Sequence, residues 1–187
     1  MSQFEYLSVL VSIIVGLALT QLLSGAARLI QLRRRVRMHV PTLLWMATLF
    51  LIDIQVWWVA FDRRATTEWQ FFSFLLYLLI PVMLFLLSYL VLPDLGDEDE
   101  ADLRDNFDGN RGWFFGLLAG IGTVSLAEQA LRVGLLRFDA DVAFRVFFVA
   151  LSLVMARVRS ARVQAWNALF VLLLIMGYIA MLFVDLQ

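Results

Sequence analysis

Acidic side chains occur at three places within stretches that are otherwise apolar enough to cross a lipid bilayer. Asp53 lies in TLLWMATLFLIDIQVWWVAF, Glu128 lies in a later apolar stretch, and Glu5 lies near the start of the chain. A lone charge at the centre of a membrane costs about 2.5–3.5 kcal/mol, so carboxylates there pair with a cation, face water or take up a proton. We therefore expect these three residues to be candidate sites for a proton or a monovalent cation.

Two arginines are placed where they could neutralise these acids. Arg132 follows Glu128 by four residues, the acid-first order that favours an ion pair along a helix. Arg145 lies near the start of the next apolar segment. Three interpretations stay open: a structural network of ion pairs that includes Asp53, a titrating or cation-binding carboxylate open to the outside, or a protonated Asp53 that is only hydrogen-bonded.

Six apolar segments must position these residues. About 20 residues of helix cross a hydrocarbon core of about 30 Å, and the fifth segment is the shortest of the six. We expect an all-α fold, a single transmembrane domain built as an integral membrane bundle of six transmembrane helices. The expected spans are residues 4–27, 42–61, 69–92, 113–133, 142–156 and 165–184.

Composition supports a membrane protein and excludes several kinds of chemistry. Hydrophobic residues make up 62% of the 187 residues and the mean hydropathy is +0.83, well above the values of soluble domains. The chain has no Cys and a single His, His39, which excludes disulfides and argues against haem and zinc sites. The net charge of −1 gives no basis for nucleic-acid binding. We expect no cofactor, no metal site and no enzymatic activity.

The basic residues, all of them arginine, predict the orientation. Ten fall on the side that carries the turns RLIQLRRRVR and RVRSAR, and five fall on the other side. Because positively charged loops stay in the cytoplasm, both termini are expected outside it. Trp45, Trp113 and Trp166 would then mark the inner interface as an aromatic belt.

One long acidic connection, PDLGDEDEADLRDNFDGNRG, joins the third and fourth segments. It holds eight acidic residues and two arginines, so residues 93–111 are expected to form a solvated cytoplasmic loop. Three spans precede the loop and three follow it, so a repeated second half would be inverted, an arrangement found in transporters. The stretches GLALTQLLSGAARL and GTVSLAEQALRVGLL are loosely alike, which leaves a 3+3 inverted repeat as an open alternative.

Small and polar residues recur along the first and fourth segments. In the first segment most of them are four residues apart, and each such step advances about 40° around the helix. Positions of this kind either form a seam where helices approach closely or line a hydrated path. The candidates are Ser8, Ser12, Gly16, Thr20, Gln21 and Ser24 in the first segment, and Ser125 and Gln129, on one stripe with Gly122, in the fourth.

The opening SQFEYLSVLVSIIVGLALTQLLSGAARLI, with WWVAF and WQFFSFLLYLLIPVMLFLLSYLVLPD, resembles a widespread group of uncharacterised small six-span membrane proteins of bacteria. The resemblance covers about the first half of the chain and implies a bacterial inner membrane but no activity. The tripeptide Leu7-Ser8-Val9 is also faintly similar to the Phe-Ser-Asp first helix of prokaryotic six-span potassium channels, of which it keeps only the Ser.

A catalytic signature is incomplete in this chain. The stretch DNFDGNR resembles part of the motif of CDP-alcohol phosphatidyltransferases, but Val124 stands where that two-metal site needs Asp, so a lipid-directed enzyme is a remote alternative. We expect an oligomeric channel or transporter for protons or monovalent cations that uses its intramembrane carboxylates. Its partners would be the lipid bilayer and further copies of the chain. The alternative is a structural, accessory or signalling membrane subunit whose intramembrane charges are ion-paired.

Overall fold

Six α-helices and one pair of short strands make up the described part of the protein. The computed structural model describes residues 3–62, 71–93, 101–133 and 140–184, with side chains at 8–60, 71–93, 102–131 and 141–180. The elements in chain order are α1 (Gln3–Gln31), β1 (Val36–Arg37), α2 (Val40–Asp62), α3 (Phe71–Leu90), β2 (Ala101–Asp102), α4 (Leu103–Val133), α5 (Ala140–Met155) and α6 (Ala161–Val184). The all-α prediction is confirmed.

Five of these helices are long and apolar enough to cross a membrane. They contain the candidate spans Ser8–Gln31, Val40–Ala60, Phe71–Leu90, Leu103–Leu131 and Ala161–Ala180. Helix α5 has 16 residues, which is about 24 Å of helix against a hydrocarbon core of about 30 Å. The multi-pass helical membrane character is confirmed, whereas the sixth span and the inverted repeat stay predictions.

The main contacts link the six helices in an order that differs from their order along the chain. Helix α3 packs against α1 and α4, α4 packs against α5, α1 contacts α2, and α2 packs against α6. The main contacts therefore run in the order α5, α4, α3, α1, α2, α6. Within the described ranges, α2 and α5 share at most a marginal contact, so side chains on these two helices are poorly placed to meet.

Helices α4 and α5 are antiparallel. The side chain of Arg111, early in α4, donates through Nε to the carbonyl oxygen of Ala156, just after α5, at 3.3 Å. Further along α4, Gly122 lies against Val149 in the middle of α5. Position along α5 thus rises as position along α4 falls, and α5 returns the chain to the end of the bundle where α4 begins.

A strand pair marks that end of the bundle. Strand β1 pairs with β2 in parallel, with Val36 opposite Ala101 and Arg37 opposite Asp102. The Arg37 and Asp102 side chains are also 3.7 Å apart across this pair. The connection between α1 and α2 and the start of α4 therefore lie together, and we call this the strand end.

Helix α4 begins earlier than the apolar pattern indicates. The sequence predicted a loop through residue 111, but the helix starts at Leu103. The Asp102 carboxylate accepts a hydrogen bond from the Arg104 amide at 2.8 Å, which satisfies one of the free amides of the first turn. Leu103 and Phe107, one turn apart, are 0% and 2% exposed. Burial of this apolar stripe holds an acidic segment in a helix.

Aromatic side chains fill the core near the strand end. The ring of Trp45 meets those of Phe114 and Phe115 edge-on, at centroid distances of 5.1 and 5.6 Å, a favourable geometry for aromatic pairs. Trp45 is therefore buried, whereas Trp113 and Trp166 are 74% and 71% exposed. Of the three tryptophans assigned to the inner belt, only these two project from the bundle.

Candidate intramembrane carboxylate site

Asp53 lies on the buried stripe of α2. Trp45, Leu49, Asp53 and Val56 follow one another at spacings of four, four and three residues, which places them on one face of the helix. Leu49 belongs to the main hydrophobic cluster and Val56 packs against it. The Asp53 residue itself is 0% exposed. It takes a core position that the pattern of its helix would give to an apolar side chain.

The carboxylate of Asp53 has no hydrogen-bond partner among the described residues, at either oxygen. Buried polar side chains in folded proteins are almost always hydrogen-bonded. A buried polar group left without a partner costs about 1–3 kcal/mol, and an ionised carboxylate in apolar surroundings costs far more. Asp53 is thus held in the core at a cost that the described residues around it do not offset.

Arg145, one of the two arginines considered as charge partners for the buried acids, is engaged elsewhere. Its guanidinium forms a salt bridge of 2.6 Å with Asp141, one turn earlier in α5. It also donates to the amide oxygen of Gln129 at 2.9 Å and to the carbonyl oxygen of Ser125 at 3.4 Å, both on α4. The structure therefore builds a polar cluster between α4 and α5 and not an ion pair between Arg145 and Asp53.

Glu128, the other buried acid, does not form a hydrogen bond with Asp53. Glu128 is 4% exposed on α4, and no hydrogen bond links it to the Asp53 carboxylate. The side chains of Glu5 and Arg132 lie outside the described residues. The two buried acids are therefore separate groups on two helices.

The ladder of small and polar residues in α1 faces away from the bundle over most of its length. Ser12, Gly16, Thr20 and Ser24 are exposed, whereas Ser8 and Gln21 are half-buried. A Cβ atom added at Gly16 would meet nothing within 4 Å. The Thr20 hydroxyl donates a hydrogen bond to the Gly16 carbonyl oxygen at 2.7 Å, so this hydroxyl is satisfied within its own helix. Among the described residues, the exposed part of this ladder is not a packing seam between helices.

The stripe predicted in the fourth segment does face another helix. A Cβ atom at Gly122 would lie 2.5 Å from Val149 Cγ2, so α4 and α5 approach each other closely here. One and two turns further along, Ser125 and Gln129 contact Arg145. The spacing of three and four residues placed these positions on one face of α4, and α5 is the helix that packs against that face.

Polar residues on α6 were missed by the sequence analysis. Gln164 is 2% exposed and donates through Nε2 to the carbonyl oxygens of Met155 at 3.0 Å and Val158 at 2.8 Å, at the end of α5. Asn167, one turn later, is 7% exposed. Two amide side chains three residues apart in an otherwise apolar segment are the signal that could have identified this buried face.

Together these features define a multi-pass helical membrane protein whose second helix holds a buried carboxylate with no hydrogen-bond partner among the described residues. Within the described ranges, no three His, Cys, Asp or Glu side chains lie together. No family model, curated protein or solved structure matches the chain. The family resemblances of its first half stay predictions.

Proposed function

We propose that this protein moves protons or monovalent cations across a bacterial inner membrane and that Asp53 is the group that binds them. A carboxylate in a membrane interior is retained where it carries a function, because its burial is costly. The alternative explanation for Asp53, a structural ion pair, finds no support among the described residues. The observation that carries this proposal is the fully buried carboxylate of Asp53, which has no hydrogen-bond partner in the part of the chain that the structure describes.

The proposal includes six spans with both termini outside the cytoplasm. The antiparallel contact between α4 and α5 supports the sixth span, since α5 returns to the level of Arg111 at the strand end. The arginine-rich turns at residues 28–37 and 157–162 support a cytoplasmic location for that end.

The direct test is ion flux into liposomes that contain the purified protein. Proton, potassium and sodium uptake are measured for the wild type, for Asp53→Asn and for Asp141→Asn as the matched control. Both variants replace a carboxylate by an amide of the same shape, but the Asp141 side chain is 52% exposed and paired with Arg145. We expect Asp53→Asn to reduce flux about tenfold or more, because an amide cannot carry the charge of an intramembrane relay group, and Asp141→Asn to keep most of it.

Stability measurements separate a functional carboxylate from a structural one. Breaking a buried ion pair costs about 3–5 kcal/mol, whereas Asp53→Asn is expected to change the free energy of unfolding by less than about 1 kcal/mol, because no partner is lost. A large loss of stability in Asp53→Asn would instead assign Asp53 to an ion-pair network. Wild-type liposomes that show no flux above protein-free ones, with the protein folded and inserted, would refute transport.

A structural or accessory subunit is the second candidate, and the exposed face of α1 favours it. Small residues let helices approach closely in a membrane, and Gly16 has open space above it. We propose that this face contacts a second copy of the chain. Because the chain has no Cys, Gly16→Cys can be cross-linked by oxidation in native membranes, with the buried Val15→Cys as control. A product of twice 21.4 kDa for Gly16→Cys alone is the expected result.

A further inference from the structure

A polar cleft opens between the last turns of α1 and the end of α3. Its volume is about 210 Å³, room for about seven water molecules at the volume each has in the liquid. This is smaller than the pockets of about 300–1,000 Å³ that take drug-sized ligands. Its lining includes Gln21, Ser24, Gly25, Arg28, Tyr89 and Leu92.

The cleft follows from the spacing of residues on α1. Gln21, Ser24 and Arg28 are separated by three and four residues, so they lie on one stripe of the helix. Gly25 lies beside this stripe, and a Cβ atom there would collide with the side chain of Leu92. The missing side chain lets the end of α3 approach α1, while the longer polar side chains on either side keep space open.

The described lining suits an anion with several oxygen atoms. It offers a guanidinium at Arg28, an amide at Gln21 and hydroxyls at Ser24 and Tyr89, and it includes no acidic side chain. Guanidinium groups bind phosphate oxygens through paired hydrogen bonds. Amide and hydroxyl donors complete the coordination of a phosphate without adding charge.

The position of the cleft identifies the kind of anion. Arg28 lies in the last turn of α1, immediately before the arginines at positions 33, 34, 35 and 37. The negative end of the α1 dipole also lies here, but the Arg33 side chain donates to the Ile30 carbonyl oxygen at 3.0 Å and offsets part of it. Basic pockets between helices at the cytoplasmic surface are typical sites for anionic lipid headgroups.

We propose that this cleft binds the phosphodiester of an anionic phospholipid, with Arg28 as the charged ligand. The lipid chains would lie along exposed apolar residues that continue the stripes of α1 and α3 lining the cleft, such as Leu17, 52% exposed and one turn before Gln21, and Leu86, 43% exposed. The cleft admits the headgroup phosphate and leaves the rest of the lipid in the bilayer. This proposal rests on the cytoplasmic location proposed above for the strand end, but it does not depend on ion transport.

The test is lipid retention measured by native mass spectrometry of the full chain released from detergent. The protein is offered phosphatidylglycerol or phosphatidylcholine of the same chain length at equal concentration. Arg28→Gln removes the charged ligand, and Arg157→Gln is the matched control. Arg157 is also an exposed arginine at a helix end, where its guanidinium donates to the Leu153 carbonyl oxygen at 3.1 Å, but it lies outside the cleft. A third variant, Ser24→Leu, fills the cleft without changing net charge.

We expect the wild type to retain phosphatidylglycerol in preference to phosphatidylcholine. Arg28→Gln should weaken this retention about fivefold to tenfold, as the loss of one charge-assisted contact predicts. Ser24→Leu should also weaken it, because the leucine side chain occupies the cleft, while Arg157→Gln should match the wild type. Equal retention by all four proteins would overturn the assignment of the lipid to the cleft. Glycerol 3-phosphate and inorganic phosphate form a separate arm, and a free anion that displaces the lipid at equal concentration would show that the site takes soluble phosphate instead.

Discussion

The close approach of α4 and α5 at Gly122 allows a quantitative test of the bundle. A Cβ atom at this position would lie 2.5 Å from Val149 Cγ2, against about 3.5–4.0 Å for an ordinary carbon–carbon contact. Valine in a helix has one strongly preferred rotamer, so the clash is relieved mainly by moving the helices apart. Overpacking of this kind costs about 1–3 kcal/mol. We expect Gly122→Ala to lower the free energy of unfolding by that amount, less any gain in helix propensity.

Two other glycines of α4 are internal controls. A Cβ atom at Gly116 would meet nothing within 4 Å, and one at Gly120 would meet only the flexible end of Met83, at 3.2 Å. Replacing glycine by alanine in a helix otherwise gains up to about 1 kcal/mol. Gly116→Ala should therefore be neutral or stabilising, Gly120→Ala nearly neutral, and Gly122→Ala destabilising. Unfolding by denaturing detergent, followed by circular dichroism, gives the three values in one assay.

A rescue variant makes this reasoning refutable. Val149→Ala removes the methyl group that the new Cβ atom would strike. The double variant Gly122→Ala with Val149→Ala should recover most of the loss, and the double-mutant cycle should give a favourable coupling energy. If Gly122→Ala is as stable as Gly116→Ala, or if the second substitution adds to the damage, α5 does not pack on α4 as described.

Two further predictions concern the ends of the bundle. Burial is the largest influence on His39 and lowers its pKa below the ordinary 6.5. As the pH drops, the unfolded chain therefore takes up the proton before the folded protein does, and stability should fall below about pH 6.5. Thermal melts above and below this pH should show a smaller change in stability for His39→Gln than for the wild type. The arginine distribution predicts that a Cys introduced at Thr66 reacts with an impermeant maleimide in intact cells and a Cys at Gly96 does not, and the opposite labelling would reverse the orientation.

Periodicity in the sequence showed which residues share one face of a helix, but it did not show what packs against that face. The spacing of Gly122, Ser125 and Gln129 placed them on one stripe, and the structure has that stripe against α5. The ladder through Ser12 and Gly16 was equally regular, yet it faces outward. In a membrane both the lipid and the core are apolar, so hydrophobicity does not decide which stripe of a helix turns inward.

The sequence analysis considered Arg145 as a charge partner for the buried acids, but the structure pairs it with a nearer acid, Asp141. Arg145 and Asp141 are four residues apart on one helix, so pairing them requires no particular arrangement of other helices. A contact between Arg145 and Asp53 would require α2 and α5 to be neighbours, and the helix order separates them. Local spacing in the sequence contained this answer, whereas the order of helices in the bundle could not be read from it.

The acidic connection shows that charge composition alone can give the wrong secondary structure. The charge of residues 93–111 favoured a loop, but the stripe of Leu103 and Phe107 runs along the charged stretch and is buried with Phe114 and Phe115. These two apolar residues, one turn apart, help to hold the first turns of α4 against the bundle. The spacing of Leu103 and Phe107 was visible in the sequence, but the high density of charged residues around them led to the prediction of a loop.

The burial of Asp53 also determines the kind of transport that the proposed function predicts. A residue that is 0% exposed has no open route to either side of the membrane in this conformation, so an ion reaches it only after helices move. Collective helix motions take microseconds to milliseconds, which limits a carrier to on the order of 10³ to 10⁶ events per second. A continuous pore through the protomer is therefore not the expected mechanism. If planar-bilayer recordings resolve single open-channel currents that survive Asp53→Asn, the ions pass elsewhere, and the outward ladder of Ser12 and Thr20 between protomers becomes the route to test.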